Sequence, residues 1–236
     1  PLVAIATPKV YVTEPLKVFQ LDFESNLTVI KLVAKYRKRV IFPSTSEVYG
    51  MTLDKKFNEY KTNLTLGPIN KSRWIYSSSK QLLDRILHAY AENNQLNYTI
   101  FRPFNWIGPK LDNLTSARIG NGRVMTIFIE KLLRNKNIIL VDGGKQKRSF
   151  TYLEDGIHAL EKIILSKNSK KTYNKIFNIG NPNNDCSIEN LAKLMVKYYN
   201  EKNIKKYKGK ILTKSQKIFY GSNYEDIPHR LPDISE

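Results

Sequence analysis

The chain has 236 residues, 41% of them hydrophobic and 25% charged, enough apolar material for a substantial core and a length that suits one or two domains. Its one cysteine, Cys186, rules out an intramolecular disulfide, and His88, His158 and His229 lie too far apart for a local zinc motif. No apolar run approaches the roughly 18 residues of a membrane span, so a cytoplasmic protein with no membrane partner is expected. The net charge of +18 raises the question of a polyanionic partner, but the lysines are mostly scattered. The densest run, KNIKKYKGKILTKSQK at 202–217, has no recognisable nucleic-acid module around it, which favours solvated surface charge over a nucleic-acid partner.

PLVAIATP at 1–8 begins with Pro rather than Met and reads as a buried strand running into a loop, as though taken from the middle of a longer protein. A helix-period pattern follows from about 15 to 36, with Leu16, Phe19, Phe23, Leu27, Ile30 and Ala34 on one stripe. RVIFPS is the next strand, then a loop with Gly67 and Pro68, a helix over about 72–93 and a strand at YTIFRPF, 98–104. Beyond it come a helix near 123–134, a strand at NIILVD, a helix over about 155–166, a strand at KIFNIG and a helix after Ser187. Helices alternating with short β-branched runs predict right-handed βαβ crossovers and a mostly parallel α/β sheet, with no internal repeat. Ligands bind such sheets beyond the carboxyl ends of the strands, so IATP, PSTSE, RPFNWIGP, DGGKQKRSF and NIGNP are the segments to inspect.

Tyr76 and Lys80 stand four apart in WIYSSSKQLLDRI and so share a helix face. An ammonium beside a phenol favours the phenolate, which would make Tyr76 a usable base near neutral pH. Tyr198 and Lys202 repeat the spacing, but in a lysine-rich stretch that reads as a solvated helix. What sets the first pair apart is the strand ending in Thr45, whose hydroxyl is suited to hold the oxygen that Tyr76 deprotonates.

A strand, a hydroxyl and then Tyr-x-x-x-Lys in an α/β chain resemble the extended short-chain dehydrogenase/reductase family acting on nucleotide sugars. RPFNWIGP at 102–109, GGKQKRSFTYLEDG at 143–156 and HRLPD at 229–233 fit the same family in order along nearly the whole chain. The resemblance implies a Rossmann-type doubly wound parallel sheet with a smaller substrate-binding lobe, and NAD as cofactor. It places the second part of the NAD-binding domain at 1–104 and mostly the substrate lobe at 105–236, with segments near 155–180 returning to the sheet. Thr-Ser-Glu at 45–47 looks like the UDP-glucuronate decarboxylases, whereas epimerases usually carry a small apolar residue after the Thr and dehydratases resemble Thr-Asp-Glu. The chemistry gives a reason: oxidising C4 of a uronic acid makes a β-keto acid, which loses CO2 through an enolate that must be stabilised and protonated.

Residue by residue, the resemblance implies that Thr45, Ser46, Tyr76 and Lys80 act in the oxidation, with Glu47 the proton acceptor and Arg230 the proton donor. Because an arginine is charged in ordinary surroundings, Arg230 is expected to act chiefly electrostatically unless its environment is unusual. Ala6, Tyr11, Thr45, Ser46, Arg73, Asn105, Lys147, Arg148 and Tyr224 match positions that touch UDP-glucuronate. Tyr76 and Lys80 match the ribose end of NAD. No G-x-x-G-x-x-G occurs among the 11 glycines, so the pyrophosphate-binding turn and the acidic ribose ligand are expected upstream of Pro1, and the chain is read as a fragment that binds NAD poorly alone. Two subfamilies share the oxidation: one re-reduces the ketone to UDP-xylose, the other releases UDP-4-keto-pentose and NADH. The long stretch GPKLDNLTSARIGNGR favours the second, which in its full-length form is fused to a formyltransferase domain and forms homo-oligomers. A non-catalytic basic fragment is the alternative outside enzymes.

Overall fold

A computed structural model describes every residue except Lys167 and Glu236. It opens with helices α1 (Pro8–Thr13) and α2 (Pro15–Phe19), a π-helical turn at Gln20–Glu24 and α3 (Ser25–Lys35). Strand β1 (Arg39–Pro43), a 3-10 turn at Ser46–Tyr49, α4 (Trp74–Glu92), β2 (Asn97–Pro103) and β3 (Trp106–Ile107) come next. After them lie α5 (Leu114–Arg118), α6 (Val124–Leu133), β4 (Ile138–Val141), β5 (Lys147–Ser149), β6 (Thr151–Tyr152), α7 (Leu153–Leu165) and α8 (Ser169–Thr172). The chain continues through β7 (Lys175–Ile179), β8 (Asp185–Ser187), α9 (Ile188–Lys202), β9 (Ile211–Lys214), α10 (Gln216–Tyr220) and β10 (His229–Arg230).

The main sheet is parallel, in the order β1-β2-β7. Its β-branched and aromatic residues pack under α3 and α4: Val40, Phe42, Tyr98 and Ile100 meet Ile30, Ala34, Leu83, Leu87 and Ala91 in one cluster. A second cluster joins α6, β4 and α9 through Phe128, Leu132, Ile138, Leu140, Ile188 and Leu191. There β4 pairs parallel with β9, while β5 pairs antiparallel with β8 and parallel with β10, so β10 delivers Arg230 alongside Arg148.

The end of β1 is held by a buried polar network. Ser44 Oγ donates to Asp84 at 2.9 Å, and Arg102 donates to Asp84 at 3.0 Å and to the Tyr49 hydroxyl at 3.0 Å. Tyr49 in turn donates to Asn178 on β7 at 2.8 Å, and Asn178 donates to the Phe57 and Asp233 carbonyls. Five segments distant in sequence are thereby tied around residues 44–49. Gly50 ends the 3-10 turn at φ +61°, where a Cβ would overlap the Thr65 carbonyl, so only glycine fits without strain.

Two local expectations are corrected. Residues 1–7 form no strand and are largely exposed. They are tied down by side chains, Asp22 accepting from the Ile5 N–H at 3.0 Å and Asn26 donating to the Val3 carbonyl at 2.9 Å. The buried stripe over 15–36 is Val18, Asp22, Asn26, Ile30 and Ala34, whereas Leu16 is 74% exposed. The π-helical turn rotates the helix face, and two polar residues enter the interior because the segment 1–7 supplies their backbone partners.

Asp84 and Arg102 are both almost fully buried. Removing the anion alone strands a guanidinium in the interior, so Asp84→Ala is expected to destabilise the protein by about 3–5 kcal/mol in denaturant unfolding, and the double variant Asp84→Leu/Arg102→Met to recover much of that loss.

Candidate active site

Thr45 sits in extended backbone at the N-cap of the 3-10 turn, its hydroxyl accepting from the Glu47 N–H at 3.2 Å. The cap holds Ser46, Glu47, Val48 and Tyr49 in a buried turn directly beyond β1. Glu47 is 7% exposed, and its two carboxylate oxygens face different cations. Oε2 lies 3.2 Å from Arg73 Nη2, at the start of α4, and Oε1 accepts from Arg230 Nη1 of β10 at 3.3 Å.

Arg73 is fully buried. Its guanidinium stacks over the Trp74 ring at 4.4 Å and faces Tyr224 at 5.6 Å, and none of its nitrogens makes a hydrogen bond among the described residues. Arg148 donates to Asp226 at 2.7 Å and to the Ile227 carbonyl at 2.8 Å. Tyr224 stacks on Tyr220, ring centroids 4.1 Å apart, and its hydroxyl reaches Asp226 at 3.4 Å. Three buried arginines, Arg73, Arg148 and Arg230, thus share two carboxylates, Glu47 and Asp226.

The electrostatics follow from that imbalance. Burial, reinforced by the neighbouring Arg148, pushes Arg230 down to about 10 against the pull of Glu47 and Asp226, which is the unusual environment that gives an arginine some capacity to exchange a proton. Burial is the largest influence on Arg73 and works against its charge, but Glu47, with Tyr224, Asp226 and Tyr11, together outweigh it and raise its proton affinity. Asp226 is pushed up by burial, yet Arg148, with Arg73 and Arg230, holds it below its ordinary value.

Tyr76, on the first turn of α4, stacks on Tyr11 with centroids 4.7 Å apart and an interplanar angle of 9°. The Thr45 side chain works to lower the proton affinity of the Tyr76 hydroxyl. The expected fall in the phenol's proton affinity is not found. Burial, then Glu47 and Asp22, push Tyr76 well up, because the Lys80 ammonium is engaged elsewhere, donating to the Pro43 carbonyl at 3.2 Å and lying 3.8 Å from Asp22.

The remaining predicted residues separate into those near the cluster and those apart from it. Asn105 adopts φ +41° beyond β2 and donates to the Ser149 carbonyl at 3.0 Å, which braces β5 and so Arg148. Ala6 and the Lys147 side chain are exposed, and neither is drawn into the arginine cluster. The sequence reading missed Asp22, Asp226 and Tyr220. A signal for two of them was present: Asp22 interrupts an apolar helix stripe, and Asp226 lies between Tyr224 and Arg230 in YEDIPHR.

Residues 1–180 match the model of the NAD dependent epimerase/dehydratase family. The chain belongs to this family. Among solved structures, PbgP3 from Burkholderia pseudomallei is 48% identical over all of this chain and 67% of its own, with a TM-score of 0.85. UDP-glucose 4-epimerase from Thermotoga maritima, with UDP-glucose, is 22% identical with a TM-score of 0.79, over 99% of this chain and 67% of its own. UDP-glucuronic acid 4-epimerase from Bacillus cereus, with UDP-glucuronic acid and NAD, is 21% identical with a TM-score of 0.75, over 99% of this chain and 65% of its own. These two show the shared fold. The chain spans about two thirds of the length of the structures it matches.

The family's cofactor is NAD, and part of a site for it fits. Tyr76, Ser77 and Lys80 lie on one side of α4 at the carboxyl end of β1, and the buried Ser77 hydroxyl makes no hydrogen bond among the described residues. Such donors suit the ribose end of a dinucleotide. The 11 glycines include no glycine-rich turn for its pyrophosphate, so this chain's residues account for one end of the cofactor only.

Because Asp226 titrates below its ordinary value in the folded state, its stabilising effect is in place above that ordinary value and is lost as pH falls through the folded one. Asp226→Asn is therefore expected to lose roughly 1–3 kcal/mol against wild type at pH 7, a gap that narrows as pH falls below the ordinary carboxylate value, in unfolding titrations at matched pH.

Proposed function

We propose that this chain is the catalytic core of an NAD-dependent UDP-glucuronate decarboxylase, forming UDP-4-keto-pentose, CO2 and NADH. It resembles the dehydrogenase part of the bifunctional polymyxin-resistance protein ArnA, which acts in UDP-4-amino-4-deoxy-L-arabinose synthesis for lipid A modification. On this reading the full-length protein is a cytoplasmic oligomer carrying a formyltransferase domain. The observation that carries the proposal is the surplus of buried cation: three arginines against two carboxylates, with Arg73 lacking any hydrogen-bond partner among the described residues. Burying such a cation is costly unless an anion meets it, and a UDP-uronate brings two kinds, a diphosphate and a carboxylate.

NAD, when bound, supplies the acceptor for the C4 hydride. Thr45, beyond β1, and Tyr76, on the first turn of α4, are placed to hold the C4 oxygen, and Tyr76 takes its proton. Tyr76 must be a phenolate to take that proton; burial, Glu47 and Asp22 oppose this in the chain by itself, and the positive charge of the nicotinamide ring of NAD, together with the Lys80 ammonium, would favour it. The resulting 4-keto uronate breaks its bond to the carboxyl carbon, releasing CO2 and leaving the electron pair as an enolate at C5. Glu47 holds Arg73 and Arg230 about the substrate carboxylate, and Arg230 offers positive charge to the enolate and, with its lowered proton affinity, a proton to C5; Glu47 accepts the proton that left the C4 oxygen and returns it to Arg230, so the protons balance. Arg148 and Tyr224, with Tyr220 stacked behind, suit the diphosphate and uridine.

In the full-length protein, Tyr76→Phe is expected to abolish NADH formation from UDP-glucuronate. Glu47→Gln is expected to lower kcat by about 10²-fold or more with little change in UDP binding, measured by NADH absorbance and by calorimetry with UDP. Normal turnover by Glu47→Gln would remove the role assigned to that carboxylate.

A further inference from the structure

The helix over 15–35 is interrupted by a π-helical turn at Gln20–Glu24, a rare feature that concentrates at functional sites. The turn places Asp22 in the interior with no exposed surface, on a face otherwise lined by Val18, Ile30 and Ala34. Asn26, also buried, pins the turn by donating to the Asp22 and Leu21 carbonyls. Oδ2 of Asp22 accepts from the Ile5 N–H at 3.0 Å, whereas Oδ1 has no hydrogen-bond partner among the described residues. That free oxygen lies 3.8 Å from Lys80 Nζ, and Lys80 is 1% exposed. The ammonium donates to the Pro43 carbonyl at 3.2 Å and sits 5.1 Å from the Phe42 ring, at the end of the strand that leads into Thr45 and Glu47.

An isolated carboxylate in this position would be strongly disfavoured, and so would an isolated ammonium. Each is tolerable because the other is there. The remaining charged or titratable groups that face the pair are Asp84 and Tyr76 on α4 and Tyr11 on α1. Asp84 is already engaged by Arg102 and Ser44, so Asp22 is the carboxylate left for Lys80.

We propose that Asp22 is the positioning residue of the Tyr76–Lys80 pair: its buried carboxylate is the counter-ion that keeps Lys80 an ammonium and fixes it at the end of β1. The proposal rests on the role given above to Tyr76 and Lys80. Burial lowers the proton affinity of Lys80 and raises that of Asp22 to about 6, so the pair is poised and a change at either member moves the other. A residue serving only to anchor the segment 1–7 would use Oδ2 and leave Lys80 indifferent to it.

The test is the titration of Lys80 in the full-length protein carrying 13C- and 15N-labelled lysine, followed by NMR, with Lys80→Met assigning the signal. Wild type, Asp22→Asn and Asp22→Glu are compared, all checked for fold by circular dichroism. In Asp22→Asn the proton affinity of Lys80 should fall roughly tenfold or more, and Asp22→Glu should restore most of it. An unchanged Lys80 midpoint in Asp22→Asn overturns the proposal. Should Asp22→Asn not fold, the Asp22 carboxyl carbon followed in wild type gives the same answer: it should report a second inflection at the Lys80 midpoint that vanishes in Lys80→Met, and its absence in wild type counts against the pair. No substrate is involved, so failure here is separate from failure of the decarboxylase reading, which is judged by turnover.

Discussion

The carboxylate of Glu47, divided between Arg73 and Arg230, is the interaction on which the site depends. One oxygen faces the start of α4 and the other faces β10, 183 residues further along the chain, so a single side chain joins the first half of the molecule to its last strand. Neither arginine is affordable in the interior without it. Glu47 in turn is held by the Thr45 cap and by the Ser44–Asp84–Arg102–Tyr49–Asn178 network beneath it. The geometry of the acid is therefore fixed by groups on α4, β2 and β7, which restricts the rotamers it can adopt and preorganises it for a ligand.

Charge distribution then decides what the site can hold. Across the molecule the excess of lysine is mainly solvated, and several of its surface members pair locally, such as Lys193 with Glu189 and Lys17 with Glu14. Such pairs contribute little. The arginines differ because they are buried and outnumber their carboxylates, so they act on a ligand at low effective dielectric. Aromatic faces border the cluster: Trp74 and Tyr224 flank Arg73, and Tyr11 stacks on Tyr76.

The main elements and most of the site were legible in the sequence for a physical reason. β1, α4, β2 and β7 are strongly periodic or β-branched, and their ends carry Thr45, Glu47, Tyr76 and Lys80 on adjacent elements, so placing the elements also placed the residues. What could not be read depended on distant partners. The strand expected at 1–8 lacks pairing and is held by Asp22 and Asn26, and the helix stripe shifted because a π-helical turn changes the period. The Tyr76 phenol was misjudged for the same reason: spacing put Lys80 on its face, but only the folded chain shows that Asp22 and the Pro43 carbonyl engage the ammonium. Asp226 was missed because its importance comes from Arg148, 78 residues away.

The central claim is that oxidation at C4 is coupled to loss of the C6 carboxylate by the Glu47–arginine cluster. Incubating the full-length protein with NAD and UDP-glucuronate labelled with 13C at C6, and following the products by 13C NMR, tests it directly. The account predicts labelled CO2 released in equal amount to NADH, with the label lost from the sugar nucleotide. Retention of the label in a C4-epimerised UDP-uronate, with no net NADH, would contradict it.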